Sequence, residues 1–411
     1  MIDALVVGAG LSGLVCATRL VDAGASVLVV DARDRVGGRL LTGTIAGRPI
    51  DLGGQWMSVG QPRLAALATK LGVASVPQAR DGNALFGLPP RGMLSRLATA
   101  FAQWRLARRI EHISHAPPRD AHDLSLAAWL AEHTSNPTAR ALIAMHAELV
   151  FAADPASLSL LHYLRTFAAT GGFAPRGPDL PGGGREHRFV GGAQTLATKL
   201  AERVPVRLAT PVRSLVAGDA VEVVTDTGGL AARRVVVAMP PQLARRIEGA
   251  FPAAPSAASV SGPVVKCFAA YDRPFWRDDG WSGEAYRPDG TVRATVALEA
   301  ILLAFVVGPV AAGWSARDPD ERRAEVLGAL TEQFGDRAAT PLDYLEVDWG
   351  IDPWSAGCVA SLPPGALAVT RREPHGRIHF AGTETAEAWP GYMEGAIEAG
   401  ERAAREILEA R

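Results

Sequence analysis

Ala4-Leu5-Val6-Val7-Gly8-Ala9-Gly10-Leu11-Ser12-Gly13, close to the N-terminus, carries the most informative spacing in the chain. Ala4 to Val7 is a continuous apolar run of strand length. A glycine-rich turn follows at once. Leu14 to Ala23 then shows helical apolar spacing, with Gly24 placed as a C-cap. Val27 to Val30 reads as a second strand, and it ends at Asp31, 18 residues after Gly13. Strand, glycine turn, helix, strand and acid together form a dinucleotide fingerprint in its required context. Gly8 permits the tight turn, Gly10 lets backbone approach a pyrophosphate, and Gly13 lets helix pack on strand. Backbone N–H groups around Ser12, at the start of the helix, would face the phosphates. Asp31 stands where an acid meets ribose hydroxyls. This reading predicts a Rossmann-like, doubly wound α/β domain; the alternative is a plain βαβ unit with a glycine-rich turn.

Outward from this stretch, length and composition narrow the class. The chain has 411 residues, 48% hydrophobic and 21% charged, which suits a globular protein of two or three domains. With 42 basic and 43 acidic residues the formal net charge is −1. That argues against a nucleic-acid partner, which calls for a basic excess, and against a polybasic membrane anchor. The three cysteines, Cys16, Cys267 and Cys358, form no CxxC pair and no disulfide framework. The N-terminal segment lacks the basic region and apolar length of a signal peptide. Ala300 to Ala316 is a long uncharged stretch, but Gly308-Pro309 interrupts it, so it reads as a buried strand and a turn rather than a membrane span. These features predict a soluble cytoplasmic protein, and they neither require nor exclude a homodimer. Only three of the basic residues are lysine: Lys70, Lys199 and Lys266.

Two further segments favour FAD over NAD. Arg33-Asp-Arg35-Val-Gly37-Gly38-Arg39 follows the acid directly. Its glycine pair allows close approach to a cofactor, Arg39 can neutralise phosphate, and Arg33 joins the same basic group. Gly53-Gly54-Gln55-Trp56 offers another tight approach. Near the C-terminus, Arg377 to Ala381 is a short strand and Gly382-Thr-Glu384 a turn that can reach ribitol or phosphate. Gly391-Tyr392-Met393-Glu394-Gly395 then opens a helix running to about Ala410. The N–H groups of that terminus would suit the negative charge that reduced flavin carries on its pyrimidine ring.

With these motifs in order, the chain resembles the flavin-containing amine oxidase family, and most closely the monoamine oxidases. The likeness continues through Arg188-Phe-Val-Gly191-Gly192, Val236-Val-Ala-Met-Pro240-Pro241, Pro274-Phe-Trp276, Ser355-Ala-Gly357-Cys358 and Phe380-Ala-Gly-Thr-Glu384. The resemblance implies an FAD-binding domain assembled from separated segments, here 1–75, 189–255 and 352–411. An α+β substrate domain is inserted as 76–188 and 256–351. It also implies that the Val212 backbone meets the adenine and that Trp349 packs against the flavin.

Three positions carry the expected chemistry. Lys266 sits inside an apolar strand pattern, where a lysine costs desolvation unless it has a task. The resemblance gives it a water bridging to flavin N5. Cys358 matches the cysteine that attaches flavin through its 8α carbon, which predicts covalent 8α-S-cysteinyl FAD. Cys16 and Cys267 read as core residues. Tyr392 matches one of two tyrosines that flank the amine in front of the flavin. The second should follow the cysteine directly, but that position is Val359. Trp354 and Trp389 are the aromatic residues nearby. His375 and His379 have i, i+4 spacing without a third ligand, so no metal site is expected. Arg105 to Arg109, beside Trp104, reads as a solvated helix face, and Gly171 to Arg185 as a loop.

The expected function is FAD-dependent oxidation of an amine to an imine, which hydrolyses to a carbonyl compound, with oxygen reduced to hydrogen peroxide. The alternatives are an oxidase or desaturase of the same superfamily acting on an amino acid, a polyamine or a biosynthetic intermediate, and an FAD-binding partner protein without turnover.

Overall fold

The computed structural model describes residues 1–87, 92–115, 124–170, 185–249, 260–366 and 372–410. The expected loop from Gly171 lies outside these residues until Arg185.

The apolar run at the N-terminus forms the strand Ile2–Val7, at the centre of a seven-stranded sheet. It pairs in parallel with Val27–Val30 on one side and with the end of Gly228–Val237 on the other. Ile378–Phe380 adds a further parallel strand against Val235, Val236 and Val237. Val212–Ala217, Val221–Thr225 and Gly228–Val237 form an antiparallel meander at one edge. The buried parallel strands are rich in valine because both their faces are covered.

Two helices cover one face. Leu11–Asp22 and Met393–Glu409 lie against each other, with Leu14, Leu20, Ile397 and Ile407 in a shared core. Their crossing is close because a Cβ on Gly400 would stand 2.3 Å from the Ser12 carbonyl oxygen. The first helix begins at Leu11, three residues before the apolar spacing that announces it. Its opening turn is Ser12 and Gly13, which leave no apolar signal. Gly8 has φ +112°, and a Cβ on Gly13 would stand 2.0 Å from the Gly8 carbonyl oxygen. Turn and helix therefore fit only with glycine at these positions.

A six-stranded sheet stands apart from the first, in the order Asp343–Asp348, Val264–Ala270, Ile301–Val307, Ala294–Leu298, Trp281–Tyr286 and Asn83–Phe86. Ile301–Val307 is the buried strand expected inside the uncharged stretch, and a 3-10 turn at Gly308–Ala311 ends it. The helices Met93–His115, Leu126–His133, Pro137–Phe151 and Leu160–Ala169 pack around Ile110, Trp129, Phe151 and Tyr163. Ser125, Asn136 and Ser159 cap three of them by accepting N–H bonds of the first turn. Among the described residues, no helix is long and apolar enough to cross a membrane.

Candidate active site

The N-terminal turn opens onto a cavity of about 1270 Å³ that runs from the first sheet to the second. Gly8, Gly10, Ser12 and Asp31 line its dinucleotide end. A Cβ on Gly10 would meet no atom within 4 Å, so the backbone there borders open space of the kind a phosphate needs. Asp31 fixes the turn by accepting the Ala9 N–H at 2.6 Å and the Arg33 N–H at 2.8 Å. Burial raises its carboxyl pKa, and those two N–H groups oppose the rise. Two carboxylate oxygens retain lone pairs for further hydroxyl donors. Gly13 does not line the cavity; it packs beneath Gly8.

The basic segment after Asp31 is not a solvated face. Arg33 donates to Asp352 at 2.7 Å and to Ser355 at 2.6 Å. Arg35 holds the glycine pair by donating to the carbonyls of Gly38 at 3.0 Å and Leu40 at 3.2 Å. Arg39 donates to Glu384 at 2.7 Å and to the Cys358 carbonyl at 2.8 Å. Burial works against the charge of Arg39, but Glu384 more than offsets it and the pKa rises. Glu384 itself is not in the cavity wall and reaches the site through Arg39.

Lys266 lies in the strand Val264–Ala270, hydrogen-bonded on both sides, opposite Phe305 and Val347. Its ammonium donates to the carbonyls of Asp51 at 3.1 Å and Gly53 at 2.6 Å, and to the Gln55 side-chain oxygen. The rings of Trp56 and Phe305 surround it at 5.8 Å each. Burial pushes its pKa down to about 8, with Asp51 and the Cys358 thiol opposing the fall. The turn of Gly53, Gly54, Gln55 and Trp56 is therefore the lysine's holder as well as part of the cavity wall.

Cys358, Val359, Trp349, Gly382, Gly391, Tyr392 and Met393 line the same cavity. Trp349 is fixed by its indole N–H, which donates to the Leu52 carbonyl at 2.9 Å. Burial raises the Cys358 thiol pKa, opposed by Arg39 and Lys266. Burial pushes Tyr392 up to about 12, so it is a neutral phenol at pH 7. Val359 stands beside the tyrosine: a Cβ on Gly391 would lie 3.2 Å from Val359 Cγ1. Trp354 lines the cavity, whereas Trp389 is buried edge-on against Tyr392 at 5.2 Å. Val212 reaches the dinucleotide end from an irregular register in its strand.

Met393 starts the C-terminal helix, and no side chain caps that terminus. Thr383 holds the approach by accepting the Gly391 N–H at 3.1 Å and donating to the Tyr392 carbonyl at 2.8 Å. Glu394 accepts the Leu64 N–H at 2.8 Å and the Arg63 N–H at 3.1 Å, tying the helix to Pro62–Lys70.

The rest of the wall was not visible in the sequence. Leu142, Ile143, Met145 and His146 come from the helix Pro137–Phe151, and Tyr286 and Phe305 from the second sheet. Arg185 also lines the cavity, among 39 arginines that sequence alone cannot rank. Trp104, read as part of a solvated face, lines the cavity with Ala100, Gln103 and Ala107. Arg108, one helical turn on, lies 5.6 Å over its ring, and both side chains are exposed. Cys16 and Cys267 are buried, and burial pushes both thiols up to about 12. His379 pairs with Glu406 at 2.9 Å, and no group among the described residues is placed to hold a metal ion.

Two of the unpartnered buried atoms belong to residues beside Lys266 and Arg39. Gln55 Nε2 and Glu384 Oε2 have no hydrogen-bond partner among the described residues. Orphaned polar groups of this kind call for a ligand. An open glycine turn, a buried acid with lone pairs to spare, a paired arginine and an uncapped helix terminus on one cavity fit FAD.

The profile of the family described as flavin containing amine oxidoreductase matches residues 11–408. The chain belongs to this family. Its relatives include AofH of Mycobacterium tuberculosis, a candidate flavin-containing monoamine oxidase, 35% identical over 99% of this chain and 96% of the relative. An L-amino acid dehydrogenase of Synechocystis is 31% identical over 99% of this chain and 94% of the relative. A solved putrescine oxidase bound to putrescine superposes with a TM-score of 0.91 at 31% identity, covering 100% of this chain and 99% of that one. As a flavin-containing amine oxidoreductase, the chain is an enzyme that oxidises an amine.

Proposed function

We propose that the enzyme binds FAD covalently through the Cys358 sulfur and oxidises a neutral amine, with dioxygen as acceptor and hydrogen peroxide as product. One observation supports this above the rest: a single cavity is lined by the dinucleotide turn at one end and by Lys266, Tyr392 and Cys358 further along. FAD, when bound, supplies a two-electron acceptor for the substrate and a donor for dioxygen. Substrate, dioxygen and water balance to a carbonyl compound, ammonia and hydrogen peroxide.

The protein's residues supply binding, orientation and electrostatics. Backbone at Gly8, Gly10 and Ser12 holds the pyrophosphate, with Gly13 fixing the helix against the turn. Asp31 takes the ribose hydroxyls, Arg33 orders the Asp352–Ser355 loop, and the Val212 backbone meets adenine. Gly38, Arg39 and Gly382 would surround the ribitol and phosphate, with Glu384 holding Arg39 in place. Gly54, Gln55 and Trp56 border the flavin ring with Trp349, and Gln55 Nε2 is a ready donor to it. Met393 would present its N–H group to the pyrimidine edge, where reduction places negative charge, and Gly391 would allow the close approach.

Lys266 brings a titratable donor to the reaction site. Its pKa near 8 lets it hold or release a proton close to neutrality. Tyr392, Trp56 and Phe305 form apolar surface that disfavours an ammonium ion and selects the free amine. Val359 leaves one flank of Tyr392's partner position without a ring, so the site admits a wider substrate than two facing tyrosines would.

The test is twofold. Peroxide should form in air in proportion to amine consumed. Acid-precipitated protein should stay yellow, and Cys358→Ser should release its flavin on precipitation. A colourless pellet from the wild-type protein would remove the covalent link, and amine turnover without peroxide would remove oxygen as the acceptor.

A further inference from the structure

Arg185 enters the cavity between Trp56 and Tyr286. Its Cζ lies 5.6 Å from the Trp56 ring centroid and 5.9 Å from that of Tyr286. Trp56 is also the ring that lies 5.8 Å from the Lys266 ammonium, so Arg185 sits one indole away from the lysine. Nη2 donates to the Tyr286 hydroxyl at 2.5 Å, its one side-chain hydrogen bond among the described residues. The Tyr286 hydroxyl in turn donates to Glu284 at 3.2 Å, and Glu284 also faces Arg80 at 4.0 Å. Two arginines thus share one carboxylate, which leaves a net positive charge at the cavity wall. His146 adds nothing negative: burial, and then Arg185, push its pKa down to about 4.

The remaining charges sharpen the point. Of the described residues lining the cavity, Asp31 is the one acid, and it belongs to the dinucleotide turn. Among the described residues no carboxylate lines the space around Tyr286, Trp56 and Arg185; Glu284 stands behind the Tyr286 hydroxyl and outside the wall. A diamine would bring a second ammonium to a wall that carries a cation and no acid. An arginine between two rings offers its guanidinium fork to a carboxylate instead.

We propose that the natural substrate is an amine that also carries a carboxylate, which Arg185 binds away from the flavin. This rests on the amine-oxidation reading above and names its substrate class. A charge-assisted pair of this kind is expected to favour the acid over its neutral analogue by about tenfold or more.

The holoenzyme would be mixed anaerobically with matched series of three to six carbons: alkylamine, ω-amino acid, α-amino acid and diamine. Flavin bleaching gives kcat/KM for reduction. The expected order is one amino acid class at least about tenfold above its alkylamine, with the diamine lowest. In Arg185→Gln that preference should collapse, and Arg185→Lys should restore part of it. Butyrate should perturb the flavin band of the wild-type enzyme and fail to do so in Arg185→Gln. Bleaching by alkylamine with no acid preferred, a diamine that reacts fastest, or a preference unchanged in Arg185→Gln would overturn the assignment. If no amine bleaches the flavin while dithionite does, amine oxidation itself fails, and the butyrate titration still decides the anion site. If Arg185→Gln does not retain flavin, the wild-type series and Arg185→Lys decide it.

Discussion

Lys266 gives the structure a measurable pH signature. Its ordinary pKa of 10.5 is lowered to about 8 by burial in a strand bonded on both sides. Between those values the unfolded chain binds a proton that the folded protein lacks, so stability must rise with pH across the window. Below pH 8 the penalty for holding a buried ammonium is fully present; above 10.5 it is gone. The shift corresponds to about 3 kcal/mol over the whole window, and about 2 kcal/mol of that is recovered between pH 7 and pH 9.5. Lys266→Met removes the titrating group. The stability of the wild-type protein minus that of the variant should therefore grow by about 2 kcal/mol from pH 7 to pH 9.5. Urea unfolding of both flavin-free proteins, followed by tryptophan fluorescence, would measure it in a Cys358→Ser background, because groups not coupled to Lys266 cancel. A difference that stays flat with pH, or one that shrinks, would refute the claim that burial governs this lysine.

Other expectations follow from single contacts. Gly13→Ala places a methyl group 2.0 Å from the Gly8 carbonyl oxygen, so helix and strand must separate; purified variant should hold little or no flavin, read from the visible spectrum. Glu394→Ala removes a buried carboxylate that accepts two backbone N–H groups, and denaturation midpoints should report a loss of about 3 kcal/mol or more. Lys266→Met should also slow reoxidation of reduced enzyme by oxygen, by about a hundredfold if the ammonium stabilises the charge that develops there, as stopped-flow mixing would show. Loss of the slow step's pH dependence near 8 should accompany it.

The dinucleotide half of the molecule was legible because its chemistry is local. Strand, turn, helix and acid lie within Ile2 to Asp31, and each glycine there answers a steric demand of its neighbours. Lys266 was legible for a different reason: a lysine inside an apolar strand is costly, and the structure meets that cost with three acceptors. Arg35 and Glu384 were harder. Arg35 braces the glycine pair rather than lining the cavity, and Glu384 acts through Arg39, although charge patterning alone treats them like their neighbours. The substrate wall was not legible. Leu142, His146, Tyr286 and Phe305 come from elements far apart in sequence, and their apolar spacing is that of any core-facing residue. Trp104 is the sharpest example: it is exposed beside Arg105, Arg108 and Arg109, as its basic neighbours suggested, yet it also borders the cavity with Ala107.

The most direct test of the central claim is anaerobic mixing of the purified yellow enzyme with a panel of amines while the visible flavin band is followed. The account predicts bleaching by at least one amine class, and recovery of the band with release of peroxide when air is admitted. A flavin that dithionite bleaches and no amine does would contradict it.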